Sequence, residues 1–315
     1  MAKSKMSDFD WFRKRLSLIT ESEIFRSIND GSFYEMTFRI GEWTVIKELF
    51  LAYYAPQYVK ILKDRRSTLN YVDFFSGSGV VGLKGTKVNF PGSPLIVAGS
   101  LIKEKFTNYY FVDNDSKKIE QLKRFLRGDN YKFYNSDANE VVNSLAIELG
   151  QNDAHSLIFI DPFAMEFKFN SILALKNVDC DLIITFSAEE ISRAINQWIQ
   201  NQDWKTEKLD DFFGDSEWKK DIDKKNVEDS SIVVYLDRIL NKAMKRKATA
   251  FRIKKTIGGH YYSIVLVSTG GSREGPTFHR IATDFNKRIN SIDGEYVRKI
   301  LDTYVVNKGN PIDQY

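Results

Sequence analysis

The hydrophobic pattern of the chain changes its period repeatedly between residues 69 and 187. Short continuous runs of β-branched and aromatic residues alternate with segments in which apolar residues recur every three or four positions. The predicted strands span 69–75, 109–114, 131–136, 156–161 and 181–187, and the predicted helices between them span 93–105, 116–127, 138–149 and 170–176. This alternation predicts βαβ units and an α/β fold built on a doubly wound, mostly parallel sheet.

Further segments surround this core. Helical patterns near 188–198 and 232–244 precede two final strands, 249–255 and 261–268, which flank a glycine turn at 257–260 and predict an antiparallel pair that closes the sheet. A helical segment at 41–63, with a kink or break at Pro56, precedes the core. We predict an N-terminal helical extension at 1–66, an α/β core at 67–270 with an insertion at about 200–228, and a C-terminal helical extension at 271–315.

The first predicted strand contains an acid and ends in a glycine turn. Asp73 lies within an apolar run, and Gly77 and Gly79 remove side chains where the backbone could approach a ligand. The turn satisfies the G-x-G-x-x-G fingerprint of dinucleotide sites, but that motif needs a helix to open at the glycines, and the next helix start is Ser93. A cationic ligand suits Asp73 better, and the order Asp73, Phe75, Gly77 resembles motif I of nucleic-acid methyltransferases, which bind S-adenosylmethionine.

Acids also lie at the ends of the following strands, where the ligands of doubly wound sheets bind. Asp113 can accept from both ribose hydroxyls of an adenosine cofactor, a role that we favour over capping of the next helix. Asp137 can accept from the adenine amino group, or it can cap the helix that begins at Ala138. The predicted cofactor-binding residues are Asp73, Phe75, Ser76, Gly77, Gly79, Asp113, Asn114, Asp137 and Ala138.

The fourth strand of the series ends in Asp161, Pro162, Phe163 and Ala164. Amino-methyltransferases have Asp/Asn-Pro-Pro-aromatic at this place, where the carboxylate holds the acceptor amine and the ring stacks on a flipped-out base. The chain has Phe163 in place of the second proline and Ala164 in place of the ring, so the motif does not identify the acceptor. We predict that Asp161, Pro162 and Phe163 form the catalytic site; a strand-end Asp-Pro turn is the structural alternative.

Composition narrows the function classes. The 315 residues include 43% apolar residues, one cysteine and three scattered histidines, so we expect a sizeable core, no disulfide and no metal site. No apolar run reaches the length of a membrane span, and the N-terminus lacks the apolar run of a signal peptide, so we expect a cytoplasmic protein.

The net charge is only +4, so any affinity for nucleic acid must come from a local patch. The clearest basic run contains no acid between residues 241 and 255 and has aromatic residues nearby. It either contacts the phosphates of nucleic acid or forms a solvated helix end and strand edge. Its cations are Lys242, Lys245, Arg246, Lys247, Arg252, Lys254 and Lys255.

Four segments resemble the three-Cys-motif partner protein (TcmP) family, whose members are methyltransferase-like. They are the helix at 47–53, the turn at 71–77 with 92–95, the strand end at 159–163, and residues 186–193 with 212–214. The family usually has glycine where this chain has Ala164, and often Glu where it has Asp113. The resemblance implies a Rossmann-like class I methyltransferase fold and a three-Cys-motif protein as partner.

Two functions are compatible with these residues. The first is an S-adenosylmethionine-dependent methyltransferase that acts on nucleic acid. The second is a catalytically silent S-adenosylmethionine-binding subunit of a complex with a three-Cys-motif protein, which the altered Asp161 motif favours. Turnover of the cofactor distinguishes the two.

Overall fold

The computed structural model describes residues 6–30, 39–41, 43–84, 86, 88–99, 101–150, 153–201, 203–244, 247–254, 261–268 and 275–306. The helices are α1 Asp8–Thr20, α2 Glu23–Ser27, α3 Trp43–Leu62, α4 Ser93–Ala98, α5 Ser116–Phe125, α6 Ala138–Leu149, α7 Phe169–Ala174, α8 Ala188–Gln200, α9 Glu207–Phe213, α10 Trp218–Asp221, α11 Val227–Arg238, α12 Gly275–Ile289 and α13 Gly294–Val306. The strands are β1 Arg39–Ile40, β2 Thr68–Asp73, β3 Val80–Leu83, β4 Asn89–Pro91, β5 Asn108–Asp113, β6 Tyr131–Asn135, β7 Ala154–Ile160, β8 Cys180–Phe186, β9 Lys247–Lys254 and β10 Tyr261–Ser268. The seven strands predicted from the pattern are all present, with ends that differ by at most two residues.

The main sheet has seven strands in the order β6-β5-β2-β7-β8-β10-β9. The first five strands are parallel, and β10 is antiparallel to both β8 and β9. Strands β7 and β8 are buried along their whole length, which is why they read as continuous apolar runs rather than as alternating ones. The predicted fold class is confirmed: this is a doubly wound, Rossmann-like and mostly parallel sheet that is closed by an antiparallel pair.

Strands β3 and β4 follow the glycine turn and form, together with β1, a second sheet of three strands. Strand β3 begins at Val80, directly after Gly79, and pairs with β4; the next helix begins at Ser93. The helix that a dinucleotide fingerprint requires at the glycines is therefore not formed, in agreement with the interpretation from the sequence. This small sheet forms one wall of the cleft beside the glycine turn.

The terminal helices pack on the sheet rather than at the periphery. Phe12 and Leu16 of α1 are fully buried in the same core cluster as Phe278 and Phe285 of α12. The carboxylate of Asp8 pairs with Arg288 at 2.8 Å, which further joins the two ends of the chain. The boundaries at 66/67 and 270/271 remain predictions.

Helix α3 spans 20 residues, close to the predicted 41–63, and it is not divided into two helices at Pro56. Because 13 of its residues are buried, tertiary packing outweighs the local cost of proline. The helix predicted at 93–105 was wrong in extent. Helix α4 ends at Ala98 instead of continuing to 105, since Gly99 adopts an extended conformation. The insertion at about 200–228 packs against the rest of the protein, since its Phe213 and Trp218 are fully buried. The turn at 257–260 lies outside the described residues. No described helix combines the length and the apolar character needed to cross a membrane.

Candidate functional site

A cleft of about 570 Å³ lies at the carboxyl ends of β2, β5, β6 and β7. Its size falls within the usual range of small-molecule sites, and its position is the one at which doubly wound sheets bind ligands. The predicted site residues that line it are Phe75, Ser76, Gly77, Gly79, Asp113, Asn114, Asp137, Ala138, Asp161, Pro162 and Phe163. The fold thus brings together residues from four strand ends that are separated by almost ninety positions in the sequence.

The glycine turn has backbone conformations that favour glycine. Gly77 has φ +60° and Gly79 has φ +79°, and a Cβ atom on Gly79 would lie 2.7 Å from the Leu122 side chain. The Ser76 side chain donates to the carbonyl of Val112 at 3.1 Å, so the turn is fixed to the neighbouring strand. These contacts leave backbone, rather than side chains, facing the cleft.

Asp73 lies behind the turn and not on the cleft surface. It is fully buried, and it accepts from the Tyr71 hydroxyl at 3.2 Å, from the Phe75 backbone N–H at 3.3 Å and from the Ser93 side chain. Burial raises the pKa of Asp73 to about 7, although these hydrogen bonds act in the opposite direction. Asp73 therefore stabilises the glycine turn from the interior of the protein.

Asp113 holds the turn from the side of β5. One of its carboxylate oxygens accepts from the Gly77 N–H at 3.0 Å, and the other accepts from the Asp115 N–H at 2.9 Å. The Lys118 ammonium lies 3.7 Å away. Capping of α5 is performed by Asp115, which accepts from Lys117 N–H, so Asp113 is not the cap of that helix.

Asp137 performs the capping role that the sequence left open. It is the N-cap of α6 and accepts from the Asn139 N–H at 2.7 Å, and it also borders the cleft. A contact with a bound ligand is therefore compatible with the cap. Asn139 in turn donates to the carbonyl of Glu166 and accepts from the Lys168 N–H, which ties this strand end to the loop after β7.

The Asp161 motif forms the opposite end of the cleft. The carboxylate of Asp161 pairs with the ammonium of Lys47, which reaches it from α3. The Phe163 side chain is 65% exposed at the rim, and its carbonyl accepts from the Ser187 hydroxyl at 3.0 Å. The loop places a carboxylate inside the cleft and an aromatic ring at its mouth.

Sequence reasoning missed four side chains that line this end of the cleft. Lys47 and Glu48 come from α3, Thr185 comes from β8, and Tyr262 of β10 donates to the carbonyl of Trp43 at 2.7 Å. Glu48 Oε2 and Thr185 Oγ1 are buried and have no hydrogen-bond partner among the described residues. Lys47 and Glu48 could have been identified from the sequence as two adjacent charged residues within an otherwise apolar helical segment. Such residues are rarely buried without a specific role.

The basic run does not form one compact patch. Lys247 begins β9 and Lys254 ends it, so the two lie about 23 Å apart at the rise of an extended strand. The carboxyl end of β9 lies at the same edge of the sheet as the cleft, whereas Lys247 lies at the opposite edge. Lys242 pairs with Asp215 at 2.6 Å, and Arg252 forms an ion pair with an acid of α11. Lys245, Arg246 and Lys255 lie outside the described residues.

No protein-family model matches the chain, and no curated protein matches it. Solved structures with similar folds include a protein of Legionella pneumophila str. Philadelphia 1 (15% identity, TM-score 0.44, 77% of this chain and 90% of that one). Two others are the N-methyltransferase NodS from Bradyrhizobium japonicum WM9 (8%, 0.38, 72% and 96%) and M. jannaschii TYW2 in complex with AdoMet (12%, 0.33, 72% and 76%). Membership of the three-Cys-motif partner family stays a prediction.

Proposed function

We propose that this protein is an S-adenosylmethionine-dependent methyltransferase that acts on an amine of nucleic acid. The observation that carries the proposal is the convergence of the residues predicted to bind the cofactor with those predicted to bind the acceptor in one cleft. Asp113 and Asp137 line it together with the glycine turn, and Asp161 and Phe163 line the other end.

The residues present fit this cofactor. Gly77 leaves room for the methionine moiety, because a Cβ atom there would meet no other atom within 4 Å. Gly79 instead lets the turn pack closely against Leu122. Asp113 would hold the ribose hydroxyls, and Asp137 with Ala138 would border the adenine. The bound cofactor would supply an electrophilic methyl group.

The acceptor end has the groups needed to position a base. Asp161 can accept from an exocyclic amine, and its ion pair with Lys47 holds the carboxylate in place for that purpose. The exposed ring of Phe163 can stack on an unpaired base, which favours nucleic acid as acceptor. The contribution of these residues to the rate would be proximity and orientation.

The test is transfer of labelled methyl groups from S-adenosylmethionine to pooled DNA, RNA and cellular protein. We expect incorporation into a nucleic-acid pool that is lost in Asp161→Ala and retained in Asp211→Ala, a control whose carboxylate pairs with Lys168 outside the cleft. Incorporation into protein alone would contradict the assignment of the acceptor.

The alternative is a silent cofactor-binding subunit in a complex with a three-Cys-motif protein. It is favoured by Ala164, which replaces the aromatic residue of the amino-methyltransferase motif. Binding of the cofactor with no transfer to any pool would support this alternative.

A further inference from the structure

Glu48 is a buried carboxyl group with one unused oxygen that lines the cleft. Its side chain is 3% exposed, and Oε2 has no hydrogen-bond partner among the described residues. The backbone of Ser93 provides a hydrogen bond to this carboxyl group. A buried acceptor without a partner is costly, so its retention at the surface of a cleft points to a ligand.

The charges around Glu48 are unbalanced. The described titratable groups that face it from the elements packed against it are Lys47 of α3, Tyr71 and Asp73 of β2, Asp161 after β7 and Tyr262 of β10. Three carboxyl groups therefore share one ammonium group, and that ammonium group pairs with Asp161. Within the described part of the chain, Glu48 has no cation of its own.

Burial raises the pKa of Glu48 well above its usual value, and the neighbouring Asp161 and Asp73 add to this effect. The Lys47 ammonium acts in the opposite direction but does not outweigh burial. Burial and the two neighbouring carboxyl groups therefore favour the protonated form of Glu48 in the unliganded protein by raising its pKa.

We infer that Glu48 releases this proton when a sulfonium-bearing methyl donor enters the cleft, and that it thereby distinguishes S-adenosylmethionine from S-adenosylhomocysteine. The inference rests on the proposed function. Glu48 lies close enough to Asp73 and Asp161 to interact electrostatically with both, and it lines the cleft in which methyl transfer would occur. A nearby positive charge favours the ionised carboxylate, and that charge is absent from the thioether product.

The loss of the positive charge during methyl transfer also favours replacement of the bound product by a new molecule of the donor. When the methyl group moves to the acceptor nitrogen, a C–N bond would form and the C–S bond would break. The electrons of the C–S bond would stay with sulfur, which would become neutral, and the methylated nitrogen would lose a proton to solvent. The carboxylate then regains a proton from solvent. Glu48 is thus a specificity-determining residue that favours the charged donor over the uncharged product.

The experiment is calorimetric titration of the wild-type chain with each ligand in two buffers of different ionisation enthalpy. We expect S-adenosylmethionine to release nearly one proton more than S-adenosylhomocysteine at pH 7. Its association constant should also rise with pH, by up to tenfold per pH unit, while that of the product stays nearly flat. This comparison between two ligands needs no variant.

Substitutions of single residues show which side chain releases the proton when the donor binds. In Glu48→Gln, the two ligands should release equal numbers of protons, and the ratio of their affinities should fall at least tenfold. Glu140→Gln, an exposed control on α6, should retain both the difference in proton release and the affinity ratio. Asp73→Asn should also retain the difference, which excludes the other buried acid with a raised pKa.

Three results would overturn the inference. Equal proton release for both ligands would show that the sulfonium does not act on Glu48, although the proposed function would stand. A difference that is lost in Asp73→Asn but kept in Glu48→Gln would assign the proton to Asp73. If neither ligand binds the wild-type chain, the inference and the proposed function both fail.

Discussion

The end of the cleft that contains Asp113 and Asp137 is organised by the backbone, whereas the end that contains Asp161 and Glu48 is organised by charged side chains. Both acids at the first end accept backbone N–H groups. At the second end, Asp161 depends on Lys47 from a distant helix, and Glu48 retains an unused oxygen. The first end is therefore suited to hold a ligand in one fixed position, and the second end is suited to respond to a change in ligand charge.

The largest effect is expected at Asp73, which lies behind the glycine turn of the backbone-organised end. Folded Asp73 keeps its proton until about pH 7, whereas the unfolded chain loses it near 3.8, so folding becomes less favourable as the pH rises between these values. Relative to Asp73→Asn, the wild type should lose up to about 4 kcal/mol of unfolding free energy, because one pKa unit corresponds to about 1.4 kcal/mol. Urea unfolding at several pH values measures this difference, and a constant difference across that range would contradict it.

The backbone-organised end is tested by two glycine substitutions. Gly77→Ala and Gly79→Ala both place a side chain at positive φ, which costs about 1–2 kcal/mol. Only the second also collides with Leu122, which should add about 1–3 kcal/mol. Urea unfolding should therefore rank Gly79→Ala as the less stable variant, and equal stabilities would show that the turn is not held tightly against α5.

Some residues of the site could be predicted from the sequence and others could not, and the difference depends on which elements carry them. Strand ends place Asp113, Asp137 and Asp161 at one edge from sequence order alone, because parallel strands align their carboxyl ends. Lys47 and Tyr262 reach the cleft from α3 and β10, and no local pattern relates those elements to the motifs. The break of α3 that Pro56 suggested is absent for a similar reason, since burial on nearly all sides outweighs the local effect of proline.

The outer surface gives a smaller expected effect. If nucleic acid approaches the charged end, replacing the cations at the carboxyl end of the basic run by Ser (Arg252, Lys254 and Lys255) should reduce the salt dependence of oligonucleotide binding. The expected change is nearly one unit of log–log slope for each phosphate that the variant no longer neutralises. The matched triple variant of Lys245, Arg246 and Lys247, which precede or begin β9, should change the slope less. Unchanged slopes for both variants in a salt titration of labelled DNA and RNA would show the run to be a solvated edge.

The most direct test of the central claim, that the cleft binds S-adenosylmethionine through Asp113, is calorimetry with S-adenosylhomocysteine. Asp113 lines the cleft, whereas Asp115, two residues later, caps α5, so Asp113→Asn and Asp115→Asn form a matched pair. We expect the wild type and Asp115→Asn to bind alike. Asp113→Asn should lose about 1.5–3 kcal/mol of binding free energy, the range for hydrogen bonds to a charged group. No binding to the wild type, or equal binding to Asp113→Asn, would contradict the account.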